Sequence, residues 1–160
     1  QFGIKLLGSE ALNALRIEKG FVHWGHDLAY TESPHQVGLA FICKIDKVPA
    51  FLGREAYLQR KLEAKGPYLC SVKLKASAPL MHHNEPVLRD GQVVGYVTSG
   101  AFSAHFNCAV GLCLIDVPVD AQGKTVLPAG HYAVMIEGES IPAEVSVRPF
   151  YDPRNERMLS

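Results

Sequence analysis

The sequence predicts an α+β protein, with a helical stretch followed by an all-β stretch. Three observations carry that prediction. Ala11, Leu12 and Leu15 share one face of a segment opening at Ser9, and Leu58 and Leu62 lie one helical turn apart further on. After Gly66-Pro67 the apolar period drops to two: Tyr68, Cys70, Val72 and Leu74 alternate with Leu69, Ser71, Lys73 and Lys75. Asp90-Gly91, a preferred hairpin turn pair, then separates two strand-like runs.

In chain order, Ser9 is a suitable N-cap for a helix running to about Lys19, and Gly20 supplies its stop. Residues 21–35, rich in His, Gly, Ser and Pro, read as a loop. Gln36 to Ile45 reads as a buried strand, with Leu39, Phe41 and Cys43 on one face and Ala40 and Ile42 on the other. Gly53 to Lys65 reads as a second helix, packed through Leu58 and Leu62 and closed by the breaker Gly66-Pro67. The division into residues 1–66 and 67–160 falls there. Beyond it, strands are expected at 68–75, Pro86–Arg89, Gln92–Ser99, Cys108–Ile115, His131–Glu137 and, after a turn at Gly138, Ile141–Val147. Short strands broken by Gly and Pro suggest a small closed or sandwiched β-domain.

Composition narrows the function. Sixteen Lys and Arg balance sixteen Asp and Glu, and neither half forms a basic patch, so nucleic acid is not an expected partner. No run of 18 apolar residues occurs, so no membrane span is expected. The start Gln1-Phe2-Gly3 has no initiator methionine or signal-peptide pattern and reads like the middle of a domain. Cys43, Cys70, Cys108 and Cys113 lack CxxC spacing and sit among apolar neighbours, which suits buried reduced thiols in a reducing compartment.

Candidate chemistry centres on Arg16-Ile17-Glu18-Lys19-Gly20 and the following Trp24-Gly25-His26-Asp27. Glu18 is delivered at a helix end, where the dipole disfavours its charge unless Arg16 or a ligand offsets it. A carboxylate so placed can accept two parallel N–H bonds from one edge of a planar heterocycle, the grip suited to a pterin. A solvated helix carboxylate is the plainer alternative. His23 and His26, and the adjacent His82-His83, lack zinc-site spacing and read as loop residues. Gly95-Tyr96-Val97-Thr98-Ser99-Gly100 has no Lys after its glycines and opens no helix, so it reads as a strand end with Thr98 and Ser99 in a turn. Ser99 and Ser103 have no glycine elbow, and no catalytic nucleophile is expected.

The order Leu15-Arg16-Ile17-Glu18-Lys19-Gly20-Phe21, Trp24-Gly25-His26-Asp27, Ser33-Pro34, Val37-Gly38-Leu39, Phe51-Leu52-Gly53-Arg54-Glu55-Ala56 and Gly95–Gly100 resembles the folate-binding glycine-cleavage T-protein (aminomethyltransferase) superfamily. The resemblance runs from Phe2 to Pro149-Phe150-Tyr151-Asp152-Pro153 and is closest to the branch fused to flavin-dependent dimethylglycine and sarcosine dehydrogenases.

It implies the end of a ferredoxin-like α/β domain followed by a C-terminal antiparallel β-barrel. It also implies a tetrahydrofolate site held by Glu18, with the Trp24–Asp27 loop near it and either Lys44 or Lys47 as the basic residue. The family's catalytic acid belongs to the first half of the folate domain, and the FAD of the dehydrogenase branch to a separate domain. Both are expected partners in a parent protein, and this chain alone is expected to be inactive and to bind no FAD. The expected function is thus a folate-binding segment of a one-carbon-transfer enzyme. The alternatives are an aminomethyltransferase of glycine cleavage and an interaction or regulatory module without catalysis. The expected location is cytoplasmic, or the mitochondrial matrix in a eukaryote, and a homo-oligomer is possible.

Overall fold

The computed structural model describes residues 2–63, 65–75 and 79–159. Helices α1 (Ser9–Glu18) and α2 (Arg54–Glu63) precede six strands: β1 (Tyr68–Leu74), β2 (Pro86–Arg89), β3 (Gln92–Ser103), β4 (Cys108–Ile115), β5 (Tyr132–Ile136) and β6 (Glu139–Ser146). All strand pairs are antiparallel, and the order β1-β4-β3-β2-β5-β6 closes on itself through β6 and β1. The fold is α+β, and its β part is a closed barrel, which among the described residues leaves no strand of the barrel as an open edge.

The period-two pattern has the expected outcome. Tyr68, Cys70, Val72 and Leu74 point into the barrel with Val87, Val97, Ala109, Cys113, Ile115 and Val134. Strand β4 is buried along its whole length. Its inward residues fill the barrel, while Cys108, Val110 and Leu112 meet Ile17 of α1 in a second cluster on the outside. That double burial explains a strand whose sequence, Cys-Ala-Val-Gly-Leu-Cys-Leu-Ile, lacks polar alternation.

The Gly95–Gly100 segment is not a strand end. It lies inside β3, where backbone presses on backbone. A Cβ at Gly95 would stand 2.0 Å from the Leu114 carbonyl oxygen, and one at Gly100 would stand 2.1 Å from that of Met81. Both glycines are required by close approach.

The first 66 residues depart further from expectation. Gly8, not Ser9, is the N-cap, and it offers no side-chain bond. The strand expected at 36–45 is a turn followed by a 3-10 helix at Ala40–Ile42. A strand is stabilised by cross-strand pairing, and among the described residues this segment joins no strand ladder, its bond to β1 being the single Leu69 N–H to Gln36 O at 2.8 Å; Phe41 and Ile42 stand exposed. In α2 the buried residue is Tyr57, with Leu58 half-buried and Leu62 81% exposed, so the packed side expected at Leu58 and Leu62 is rotated. Tyr57 instead meets the His35 ring edge-on at 5.9 Å. The expected end of this helix includes Ala64, which lies outside the described residues, as does Gln1.

Candidate functional site

Helix α1 ends on two backbone bonds that define a Schellman stop: Gly20 N–H donates to Ile17 O at 3.0 Å and Phe21 N–H to Arg16 O at 2.8 Å. Gly20 adopts φ +73°, the left-handed conformation that stop requires. The termination fixes where the charged last turn points. Arg16, Glu18 and Lys19 each reach a different part of the barrel region, while Ile17 between them plugs the second apolar cluster.

Arg16 does not pair with Glu18. It forms an ion pair with Asp27, donates through Nη2 to Ser99 Oγ at 2.7 Å, and donates through Nε to Asn13 at 2.9 Å. Asp27 is completely buried and also accepts the Thr98 hydroxyl at 2.6 Å and the His23 N–H at 2.8 Å. The register of β3 against β4 shifts between Val97 and Ser99. Neighbouring residues on a regular strand face opposite sides, and a bulge re-aims them. The irregularity accompanies the delivery of both Thr98 and Ser99 to one ion pair. These hydroxyls are not in a turn, and the signal for it is a Thr-Ser pair embedded in an apolar strand between glycines.

Glu18 is 7% exposed. The Ser103 hydroxyl, at the end of β3, donates to Glu18 Oε1 and accepts the Phe106 N–H at 3.0 Å. Because the Phe106 amide can only donate, the one proton of Ser103 is committed to Glu18. That bond meets the cost of a carboxylate at the C-terminal end of a helix.

Lys19 forms an ion pair with Asp152 (Nζ to Oδ2 3.1 Å) and donates to the Asp152 backbone carbonyl; the two side chains are 7% and 4% exposed. Burial pushes the Asp152 carboxyl up, but the Lys19 bond and charge, with the Arg157 and Glu156 backbone contacts, outweigh it and hold the group below its ordinary value. Next to this pair opens a cleft of about 480 Å³, bounded by Lys19 to Val22, the 37–41 loop, the outer side of β1, and the C-terminal segment at Val147, Pro149, Pro153 and Asn155. Its size falls in the range of small-molecule sites. Phe21 and Phe41 are among the residues that line it.

The other expected site residues are placed as follows. Trp24 is two-thirds exposed and bridges Leu28. Lys44 and Lys47 are exposed in the turn after the 3-10 helix, joined by a backbone bond of 3.1 Å, and neither lines the cleft. The structure thus brings Glu18 and Asp27 against the barrel and leaves the two lysines apart. His83 Nδ1 lies 2.8 Å from the Thr98 carbonyl, and His23 and His26 stack at 4.7 Å. Among the described residues no three His, Cys, Asp or Glu side chains are placed to hold a metal. Cys70, Cys108 and Cys113 are buried free thiols, while Cys43 is half-buried. Burial pushes Cys70 up to about 12, which keeps it a neutral thiol.

Residues 68–152 match the family model of the glycine cleavage T-protein C-terminal barrel domain, and residues 1–47 match that of the GCVT N-terminal domain. The chain belongs to the glycine cleavage T-protein family. It is 38% identical over 98% of its length to a 4-methylaminobutanoate oxidase (formaldehyde-forming) of Paenarthrobacter nicotinovorans, covering 18% of that protein. It is 32% identical over 98% of its length to the mitochondrial sarcosine dehydrogenase of Mus musculus, covering 17% of it. An aminomethyltransferase of Synechococcus sp. (strain RCC307) is 32% identical over 93% of the chain, which covers 40% of that protein. The chain therefore spans less than a fifth of the oxidase and dehydrogenase relatives. The fold is similar to the crystal structure of glycine cleavage system aminomethyltransferase T from Bartonella henselae, with a TM-score of 0.71 at 21% identity, over 90% of this chain and 39% of that one. Among the described residues no helix is long and apolar enough to cross a membrane.

Proposed function

We propose that this chain is the folate-binding C-terminal part of a tetrahydrofolate-dependent one-carbon-transfer enzyme of the N-methyl amine dehydrogenase branch. The observation that carries the reading is the match along nearly the whole chain to amine oxidases, amine dehydrogenases and aminomethyltransferases alike. In this reading residues 1–66 finish a folate domain and 67–160 form the barrel beside it. The aminomethyltransferase alternative shares the same folate site.

Position supports the reading, although Glu18 itself does not line the cleft. Glu18 ends α1 where its neighbours Lys19, Gly20 and Phe21 enter the 480 Å³ cleft. A carboxylate offers about four acceptor positions, so the Ser103 bond leaves capacity for two N–H donors of a pterin edge. Bound tetrahydrofolate supplies the nitrogen acceptors for the one-carbon unit. The chain's own contribution is orientation: Glu18 fixes the ring edge and Ser103 fixes Glu18. Orientation of this kind supplies much of the acceleration when two groups must meet. Asp27 acts at one remove, by holding Arg16 and the 23–27 loop, and Trp24 with Lys44 or Lys47 remains available to the more distant parts of the ligand.

One observation favours a second reading, a module that scaffolds or regulates without catalysis. The Glu18 and Asp27 carboxylates are both bonded inward to the barrel, as an interdomain staple would be. Titration of the protein carrying this chain with tetrahydrofolate, followed by calorimetry, separates the two. Saturable binding supports the folate site; no binding supports the scaffold.

A further inference from the structure

We propose that the C-terminal segment from Val147 to Asn155 is a latched wall of the ligand cleft, and that the Lys19–Asp152 pair is the latch that sets affinity for the ligand held at Glu18. The proposal rests on the folate reading above. It deepens that reading by naming a pair of positioning residues.

The segment belongs to no strand, yet it supplies Val147, Pro149, Pro153 and Asn155 to the cleft. Several contacts hold it, among them the Lys73 ammonium 4.6 Å from the centre of the Phe150 ring. Pro149 lies so close to Gly20 that a Cβ there would come within 2.7 Å of the proline ring. Phe150 and Tyr151 pack edge-on against Phe106 and His105, at 6.4 and 5.1 Å between ring centroids. Lys19 grips both the side chain and the backbone carbonyl of Asp152, which sits at φ +44° and also accepts the Arg157 N–H at 3.3 Å. The aromatic contacts are weak, with ring separations that span a broad range, and would tolerate sliding. The ion pair is directional and almost fully buried, so it fixes where the segment stops along the cleft. A buried pair contributes little net stability compared with apolar residues of the same size, and register is its best-attested use. Lys19 also follows Glu18 directly. The latch and the proposed pterin clamp therefore share one helix end, and a loosened wall moves the clamp.

The test uses the full-length protein that carries this chain and tetrahydrofolate under anaerobic conditions, with affinity and tryptic cleavage after Arg154 and Arg157 as readouts. Wild type should bind, and the ligand should slow that cleavage. Asp152→Asn and Lys19→Met should weaken binding about 10-fold, while Asp152→Glu, which keeps the charge, should recover most of it. Barrel amide exchange should stay as in wild type. Binding by Asp152→Asn equal to wild type, or cleavage unaffected by ligand, would overturn the latch. The wild-type cleavage measurement decides the matter should the variants fail to fold. Failure of wild type to bind at all instead removes the folate reading, and the latch with it.

Discussion

Asp27→Asn should lower folding stability by about 2–3 kcal/mol. Breaking a buried ion pair by removing one partner costs roughly 3–5 kcal/mol, because the other charge stays behind uncompensated. Here Asp27 is fully buried while the Arg16 side chain keeps 15% of its exposure, so water screens part of the orphaned charge. Asn also retains one oxygen for the Thr98 hydroxyl or the His23 N–H, each such bond being worth about 1 kcal/mol. Both effects move the expectation below the full cost. For a chain of this length each kcal/mol shifts the melting temperature by about 2–4 °C, so a fall of about 4–12 °C is expected. Urea denaturation is the assay: the midpoint should fall with the slope unchanged, since the surface exposed on unfolding is the same. Adding Arg16→Met to Asp27→Asn should recover about half the loss, because the stranded charge is then gone. A loss under about 1 kcal/mol with no coupling to Arg16 would refute the reasoning and make the pair a solvated contact.

Other expectations follow from individual contacts. Gly100→Ala should unfold or severely destabilise the barrel, since its Cβ would stand 2.1 Å from a backbone carbonyl; circular dichroism and yield of soluble protein check this. Burial, with Lys61 and Arg60 nearby, holds the His35 imidazole below its ordinary value, so the unfolded chain takes up protons first as pH falls. Stability of the α2 region should therefore be full above pH of about 6.5 and decline below it, with His35→Phe abolishing the dependence in a pH series of melts. Asp152 has the opposite chemistry and the same direction: its depressed carboxyl contributes above the unfolded value of about 3.9 and is lost as pH falls through the folded one. Tail release by proteolysis should thus be flat from pH 8 to 5. Amide exchange should be slower in residues 67–160 than in 1–66, where Phe41, Ile42, Val48 and Leu52 stand exposed; equal protection would contradict that contrast.

The barrel was legible because its signals are local. Period-two alternation, an Asp-Gly turn and an apolar run specify β1, the β2–β3 hairpin and β4 without knowledge of their partners. The segment at 36–45 was misread because its apolar residues satisfy a strand pattern, and only a pairing neighbour could make it one. The sequence singles out Glu18 and Asp27, but it does not announce their contacts with the barrel. Ser103, Thr98 and Ser99 lie 71–85 positions away along the chain, and no local period announces which hydroxyl will face which carboxylate. The Lys19–Asp152 pair spans 133 positions and was invisible for the same reason. Long-range polar contacts are set by the register shift in β3 and the path of the C-terminal segment, both properties of the assembled barrel.

Equilibrium titration of Glu18→Gln with tetrahydrofolate, beside wild type, tests the folate assignment most directly. The substitution keeps shape and the acceptor for Ser103 but replaces one carboxylate oxygen with a donor, so one ligand N–H would face another N–H. Charge-assisted bonds contribute about 1.5–3 kcal/mol, which at about 1.4 kcal/mol per decade predicts a 10- to 100-fold loss of affinity. Melting behaviour should stay close to wild type. Unchanged affinity in a folded variant would mean that Glu18 serves only to staple α1 to the barrel through Ser103.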